Sequence, residues 1–419
     1  MANTLIKTAK NAVKKLGKAL KRPDYKDPEV DRLVRAVMKK TGWSYACAWR
    51  FMSAAKQSFG IPYDIYYRGE LWSVPPADQK AEHKTISEAE LTPELMSREH
   101  VICCVMKHTG WEREYTEEQI AKARKRCGCS YKEYLMYRFF EMDEHEQDKV
   151  FLLCDSKKLR AKYDVDKELI SMLRDKEKTN IAFSEMIKRR WCVNRNITYE
   201  EFAALFKGCD RLFYKPVFGS KGIGAEVHEI NRKNRKTVYN KLMSLPKGVV
   251  EEFVIQHPDM AKLAAASVNT LRVVTLSSTQ FPVTADGKHA DVAYASIRIG
   301  NGEAVVDNFH SGGMTAAVDI DTGIIVTNAV DMGARIFENH PFSGEKIKGT
   351  AIPFFRETID TIMRICEEKE LTGYLGWDIA ITKNGPELIE LNSSPGVMGL
   401  SAPYATEHIG MKHVMEKYI

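Results

Sequence analysis

The sequence predicts an α+β fold, a sheet-rich body carried behind a duplicated, all-helical N-terminal domain. Three observations predict it. From about residue 146, short β-rich runs alternate with helical stretches and glycine-bearing loops. Before that point the chain repeats itself at a constant offset of 68 residues. Near the C terminus two apolar runs carry oxygen-bearing side chains: Asp378 on one, Glu390 and Asn392 on the other.

Length and composition set the frame for these elements. A chain of 419 residues with 44% hydrophobic residues is expected to fold as two or three domains. No apolar run reaches about eighteen residues and no signal peptide is evident, so a spanning or exported protein is not expected. The nine cysteines lack a Cys-x-x-Cys pair, which argues against a disulfide framework or a zinc site and for a reducing, cytoplasmic location. Cys127-Gly128-Cys129 reads as buried thiols near a turn. Net charge is +6, yet residues 1–23 hold seven cations and no acid, leaving −1 for the rest. That distribution excludes a broad nucleic-acid-binding face.

Taken in order, residues 1–23 place Leu5, Ile6, Ala9, Ala12, Val13, Leu16, Ala19 and Leu20 on one helical stripe opposite the lysines, ending at Pro23. Such a helix suits an anionic membrane surface, here the inner face of the membrane, or a partner. Residues 24–145 hold the repeat. Val37-Met38-Lys39-Lys40-Thr41-Gly42-Trp43 returns as Val105-Met106-Lys107-His108-Thr109-Gly110-Trp111, followed by Ala55/Ala123, Gly60/Gly128, Tyr63/Tyr131 and Tyr66/Tyr134. Each unit reads as a helix ending near Thr-Gly-Trp, a second ending at the glycine, and an aromatic helix. Across 146–419, runs 151–154, 211–217, 249–255, 269–276, 290–299 and 304–308 read as strands, and 178–190 and 351–369 as helices.

The C-terminal pair of apolar runs reads as a hairpin whose loop length decides which side chains share a face. An Asn384-Gly385 turn would pair Lys383 with Pro386 and set Asp378 opposite Leu391. A three-residue loop would pair Thr382 with Pro386 and set Asp378 opposite Glu390, and this is the expected arrangement. Asp, Glu and Asn offer hard oxygens suited to Mg²⁺ or Mn²⁺. The same residues also fit an edge hairpin with solvated acids. Upstream, Lys215-Pro216 precedes Gly219-Ser220-Lys221-Gly222-Ile223-Gly224, a loop whose N–H groups could face phosphates or merely join two strands. It matches neither a P-loop nor a dinucleotide fingerprint.

Further pieces stand in a telling order: Asp175-Lys176, Phe213-Tyr214-Lys215-Pro216, the glycine loop, Val250-Glu251-Glu252-Phe253-Val254, Ser267-Val268-Asn269-Thr270-Leu271-Arg272, Arg298-Ile299-Gly300, Asp307-Asn308 with Gly312-Gly313, and Asp378 with Glu390 and Asn392. Over roughly 175–404 this order resembles the ATP-grasp superfamily, and most closely its sugar-transfer-associated branch found with capsule and exopolysaccharide genes.

The resemblance implies an ATP-grasp domain over 146–419 that uses ATP with Mg²⁺ or Mn²⁺. It implies that Lys176 and Lys215 contact phosphates beneath a lid formed by Gly219, Ser220, Lys221, Gly222 and Gly224. Glu251, Glu252, Phe253 and Val254 would form the adenine hinge, with the acidic contact open between the two glutamates, and Asp259 or Gln256 would meet the ribose. Asp378, Glu390 and Asn392 would hold the metal. Arg272 and Arg298 would stabilise the transferring phosphoryl group, and Asn308, Gly312 and Gly313 would close over the reacting carboxylate. The implied activity is a carboxylate–amine ligase working through an acyl phosphate on small-molecule carboxylate and amine substrates, with a sugar- or lipid-linked glycan precursor as acceptor. A phosphotransferase on the same fold, or a peripheral-membrane scaffold with a regulatory nucleotide site, are the alternatives.

Overall fold

A computed structural model describes residues 32–36, 93–195, 197–218, 224–300 and 313–419. The basic N-terminal segment, most of the first repeat unit, most of the glycine loop and the expected strand 304–308 lie outside the described residues, as do Asn308 and Gly312.

The described strands form two antiparallel sheets. β1 (Trp191–Val193), β2 (Arg211–Pro216), β3 (Glu226–Glu229) and β4 (Gly248–Glu252) make a small sheet in the order β1-β4-β2-β3. β5 (Thr270–Ser277), β6 (Ala290–Ile299), β7 (Met314–Val318), β8 (Ala329–Asp331), β9 (Ile336–Phe337), β10 (Gly373–Thr382) and β11 (Gly385–Asn392) make a large one in the order β11-β10-β5-β6-β7-β8-β9. The chain passes from the first to the second through residues 253–255. On arrival, Gln256 bridges Thr382 and the His257 N–H donates to the Ile381 carbonyl at 2.7 Å.

β10 is buried at every position, so both of its faces are covered. On one face Leu271, Val273, Ile297, Trp377, Ile379 and Leu388 pack against the helix Phe355–Glu368. That helix presents Phe355, Ile359, Ile362 and Ile365 at three- and four-residue steps. Trp377 meets Phe183 edge-on at 5.8 Å and donates to Thr275 Oγ1 at 3.0 Å. Its neighbour Asp378 therefore points to the other face, because successive side chains alternate along a strand. There Val274, Tyr294 and Tyr374 pack with Leu159 and Leu400, while Arg272, Arg298 and Asp378 share the remainder of that face.

In the second repeat unit the helices Pro93–Thr109, Arg113–Cys127 and Tyr131–Met136 stand in the expected order. The second ends at Gly128, whose φ of 77° suits glycine, and Ser130 caps the third. Leu33 and Val34, 68 residues before Val101 and Ile102, are buried as those residues are. The core of this segment is continuous with the body: Val105, Ile120, Tyr134 and Phe139 join Val330 and Met332 of the large sheet and its flank, and Ala402 and Ala405 of the helix Met398–Thr406.

Two expected elements differ. Residues 151–154 are not a strand; the helix Leu153–Lys162 begins there, because Asp155 returns to accept the Leu152 N–H at 3.1 Å. The helix expected over 178–190 spans only Lys176–Ala182, starting where Asp175 accepts the N–H groups of Glu177 and Lys178. A single 3-10 turn, Ser184–Met186, follows, and the chain then extends into β1.

The hairpin loop also differs from expectation, with an instructive result. Thr382 pairs with Gly385 across a two-residue turn, Lys383-Asn384, in which Gly385 adopts a φ of 93°. Continued without interruption, that register would set Asp378 opposite Ile389. Instead the pairing jumps from Ile379↔Leu388 to Asp378↔Glu390, so Ile389 is the extra residue of a β-bulge. The loop is one residue shorter than expected and the bulge restores the Asp378↔Glu390 pair. Glu387, paired with Ala380, then shares the face of Glu390 although the two are three residues apart. Deleting Ile389 would leave Glu387 and Glu390 two residues apart on a regular strand, still on one face, so the deletion should cost only about 1 kcal/mol in urea unfolding, whereas Glu387→Ala, which strands the buried Arg189, should cost about 3–5 kcal/mol.

Candidate active site between the two sheets

Asp378 is the centre of the large sheet's charged face. Its side chain is only 3% exposed. Arg272, directly across on β5, grips it with both arms of its guanidinium, Nε to Oδ1 and Nη2 to Oδ2, the latter at 2.7 Å. Arg298 on β6 adds Nη1 to Oδ2 at 3.1 Å, and Asn392 donates Nδ2 to Oδ2 at 3.3 Å. Burial alone would raise the Asp378 pKa, but the two arginines outweigh it and hold the carboxyl below its usual range. Burial likewise works against the Arg272 charge, yet Asp378 more than offsets it and raises the guanidinium further.

Glu251 is the matching centre on the small sheet. It accepts from Arg189 Nη2 and Asn180 Nδ2, each at 2.9 Å, and pairs with Lys215 Nζ at 2.9 Å. Alternation along β4 turns Glu252 the opposite way, where Arg190 holds it at 2.9 and 2.7 Å near the surface. Arg189 is 2% exposed at its side chain and also donates to Glu387 Oε1 at 2.9 Å and the Leu388 carbonyl at 2.7 Å. One guanidinium therefore ties the small sheet to the large one. Burial lowers the pKa of Lys215, with Glu251 opposing it, and Glu390 of the large sheet is among the charges that act on this ammonium.

Glu390 is half-buried opposite Asp378 and makes no hydrogen bond or ion pair with a described residue. This unpartnered carboxylate, beside Asp378 and Asn392 on one face, gives an all-oxygen donor set that fits a hard divalent cation. Four cations, Lys215, Arg189, Arg272 and Arg298, stand against four acids, Glu251, Glu387, Asp378 and Glu390, so the described face is neutral.

The other sequence candidates fall around this core. Lys176 opens its helix beside the end of β2, its N–H donating to the Val217 carbonyl at 3.2 Å. Gly224 lies against Pro216, whereas Gly219, Ser220, Lys221 and Gly222 lie outside the described residues. Gly313 is buried immediately before β7, whose Met314 pairs with Ile299, one residue beyond Arg298. Phe253 and Val254 occupy the crossing between sheets, with Ile255 69% exposed beside them. Asp259 follows, paired with Lys262 at 2.7 Å. Gln256 is a structural hub: it donates to the carbonyls of Ala264 and Ser267 and accepts from both nitrogens of Asn269, which leaves it no role at a ribose. Cys127 and Cys129 flank the Gly128 cap, and among the described residues no three side chains drawn from His, Cys, Asp and Glu alone are grouped so as to hold a metal ion.

Sequence reasoning missed Asn180, Arg189 and Glu387. Glu387 carried a usable signal, an acid inside an apolar strand. Arg189 carried none, because it follows a turn and its partners lie 62 and 198 residues away.

Arg189 and Lys215 outweigh the burial that opposes the Glu251 charge and hold its pKa at about 2, from an ordinary value of 4.5. Because the folded value is the lower one, the stabilisation is fully present above pH 4.5 and disappears as pH falls toward 2. The stability difference between wild type and Glu251→Gln should therefore narrow by about 2 kcal/mol between pH 6 and pH 3 in urea unfolding.

Comparison with known proteins places this chain in a family. No match was found among curated proteins. Among solved structures, an N5-carboxyaminoimidazole ribonucleotide synthetase in complex with ADP is 15% identical, with 57% of this chain and 52% of that chain covered and a TM-score of 0.34. The D-alanine–D-alanine ligase from Bacillus anthracis is 10% identical, with coverages of 59% and 66% and a TM-score of 0.33. The ATP-grasp ligase PsnB, solved with a phosphomimetic variant of its minimal precursor, Mg and ADP, is 14% identical, with coverages of 61% and 62% and a TM-score of 0.35. The chain thus spans between 52% and 66% of the length of these proteins. The family model described as sugar-transfer associated ATP-grasp matches residues 165–412, more than half of the sequence, and the chain belongs to that family.

Proposed function

We propose that this protein is an ATP-dependent carboxylate–amine ligase that forms an amide through an acyl phosphate. The observation that carries the proposal is the convergence of Lys215 from the small sheet with Arg272, Arg298, Asp378, Glu390 and Asn392 from the large one, across the crossing 253–255. The crossing supplies a half-buried apolar strip, Phe253 and Val254, against which an adenine ring would lie, and Glu251 is the glutamate on the side of Lys215. Lys215 and Lys176 would bind phosphate oxygens. The planar forks of Arg272 and Arg298 suit the anionic oxygens of a phosphoryl group in transfer and keep their charge throughout. Gly313, with Asn308 and Gly312, would bring backbone N–H groups to the carboxylate under attack. Asp378, Glu390 and Asn392 would hold Mg²⁺, which when bound offsets negative charge on the phosphates.

The carboxylate takes the γ-phosphoryl group of ATP, leaving ADP, and an amine then displaces phosphate. Support for a sugar-linked or surface-glycan acceptor is the family itself. Among the described residues no helix is long and apolar enough to cross a membrane, so contact with a lipid-linked acceptor would fall to the basic segment 1–22.

A screen of amino acids and amino sugars for ADP release, with mass spectrometry of products, tests the reaction. Phosphate release should require both a carboxylate and an amine; a stable phosphorylated product would instead make the enzyme a phosphotransferase. Asp378→Asn and Glu390→Gln should each lower turnover at least about a hundredfold, and unchanged turnover would point to a regulatory nucleotide site. Removal of residues 2–22 should abolish sedimentation with anionic vesicles, and retained sedimentation would refute membrane docking.

A further inference from the structure

We infer that Arg272 and Arg298 close the cation site to a bare divalent ion, so that metal and nucleotide enter together. The inference rests on the nucleotide reading above. Asp378 Oδ2 already accepts from Arg272, Arg298 and Asn392, more donors than its two lone pairs accommodate well, and Oδ1 accepts from Arg272 Nε. The carboxylate is therefore largely committed before any cation arrives. A dication entering alone would also meet two guanidinium charges held against the same carboxylate, in a place where water screens them little. Glu390 is the opposite case, an acid with no hydrogen bond or ion pair among the described residues beside a saturated one.

A polyphosphate changes this balance. Guanidinium forks accept phosphate oxygens in the same bidentate geometry as carboxylate oxygens. Phosphate can thus take over Arg272 and Arg298, and Asp378 is released to join Glu390 and Asn392 around the cation. Arg272 and Arg298 act here as positioning residues for the metal ligand, in addition to any contact with phosphate.

Mn²⁺ and ADP are suitable probes. Binding of Mn²⁺ to the full-length protein is read from water-proton relaxation, which is enhanced when the ion tumbles with the protein and far less on free ADP. The expected result is at least tenfold weaker Mn²⁺ binding without ADP than with saturating ADP, and loss of the ADP-dependent enhancement in Asp378→Asn. Arg272→Met and Arg298→Met should each strengthen Mn²⁺ binding in the absence of ADP; the wild-type comparison decides the matter if either variant fails to fold. Equal, Asp378-dependent Mn²⁺ affinity with and without ADP would overturn the inference while leaving the nucleotide reading intact. Equilibrium dialysis that finds no ADP binding, with or without Mn²⁺, would overturn both.

Discussion

The bulge that absorbs Ile389 is the constraint on which the site depends. A regular strand places residues three apart on opposite faces, and Glu387 and Glu390 are three apart. The bulge sets both on the face of Asp378, so one strand can supply the acid that holds Arg189 and the acid that stands open beside Asp378. Trp377 fixes the phase of the facing strand from the other side, locked by Phe183 and Thr275. Register, more than the identity of any single side chain, decides whether this hairpin is a site.

The two charge centres sit at different ends of one trade-off. A buried ion pair returns little net stability compared with apolar packing, but removing one partner leaves a charge stranded. Arg189 shows why the chain keeps such pairs. It satisfies Glu251, Glu387 and a backbone carbonyl at once, and in doing so fixes the distance between a sheet carrying Lys215 and a sheet carrying Asp378. No apolar side chain could link both sheets with that specificity of direction. Around Asp378 the same chemistry serves another end, because Arg272 and Arg298 are suited to exchanging a carboxylate for a phosphate.

Much of this was legible in the sequence, and the failures have physical causes. Acids and an amide inside apolar strands announced the hairpin, and the order of motifs announced the family. The Asp378↔Glu390 pair was expected from a three-residue loop; it arises from a two-residue loop and a bulge, and Glu-Leu-Ile-Glu gives no local signal for where an extra residue will sit. Gln256 stood beside Asp259 as a candidate for the ribose only through the resemblance. Its hydrogen bonds and those of Asn269 instead satisfy the carbonyls of Met260, Ala264 and Ser267 and the Gly300 N–H, where the chain leaves the crossing and needs its backbone satisfied. Arg189 was invisible because its meaning lies wholly in long-range contacts.

The helical segment bears on the site through the same logic. Periodicity suggested a separate domain, but in the second unit the apolar face is completed by Val330 and Met332 and by the helix Met398–Thr406. The contact continues to the hairpin. Arg160, from the helix Leu153–Lys162, donates to the Pro395 carbonyl at 3.2 Å, three residues after Asn392. Pro395 in turn lies over Gly376, where an added Cβ would come within 2.7 Å of the proline ring, and Gly376 is the cross-strand partner of Asn392. A side chain at 376 would push the loop away and turn Asn392 from Asp378. The glycine, the proline and Arg160 therefore form one mechanical path from the helix Leu153–Lys162 to the amide of Asn392, and this helix, whose Leu153 N–H donates to Glu133 of the helical segment at 2.7 Å, acts as a wall that holds the end of β11 in place.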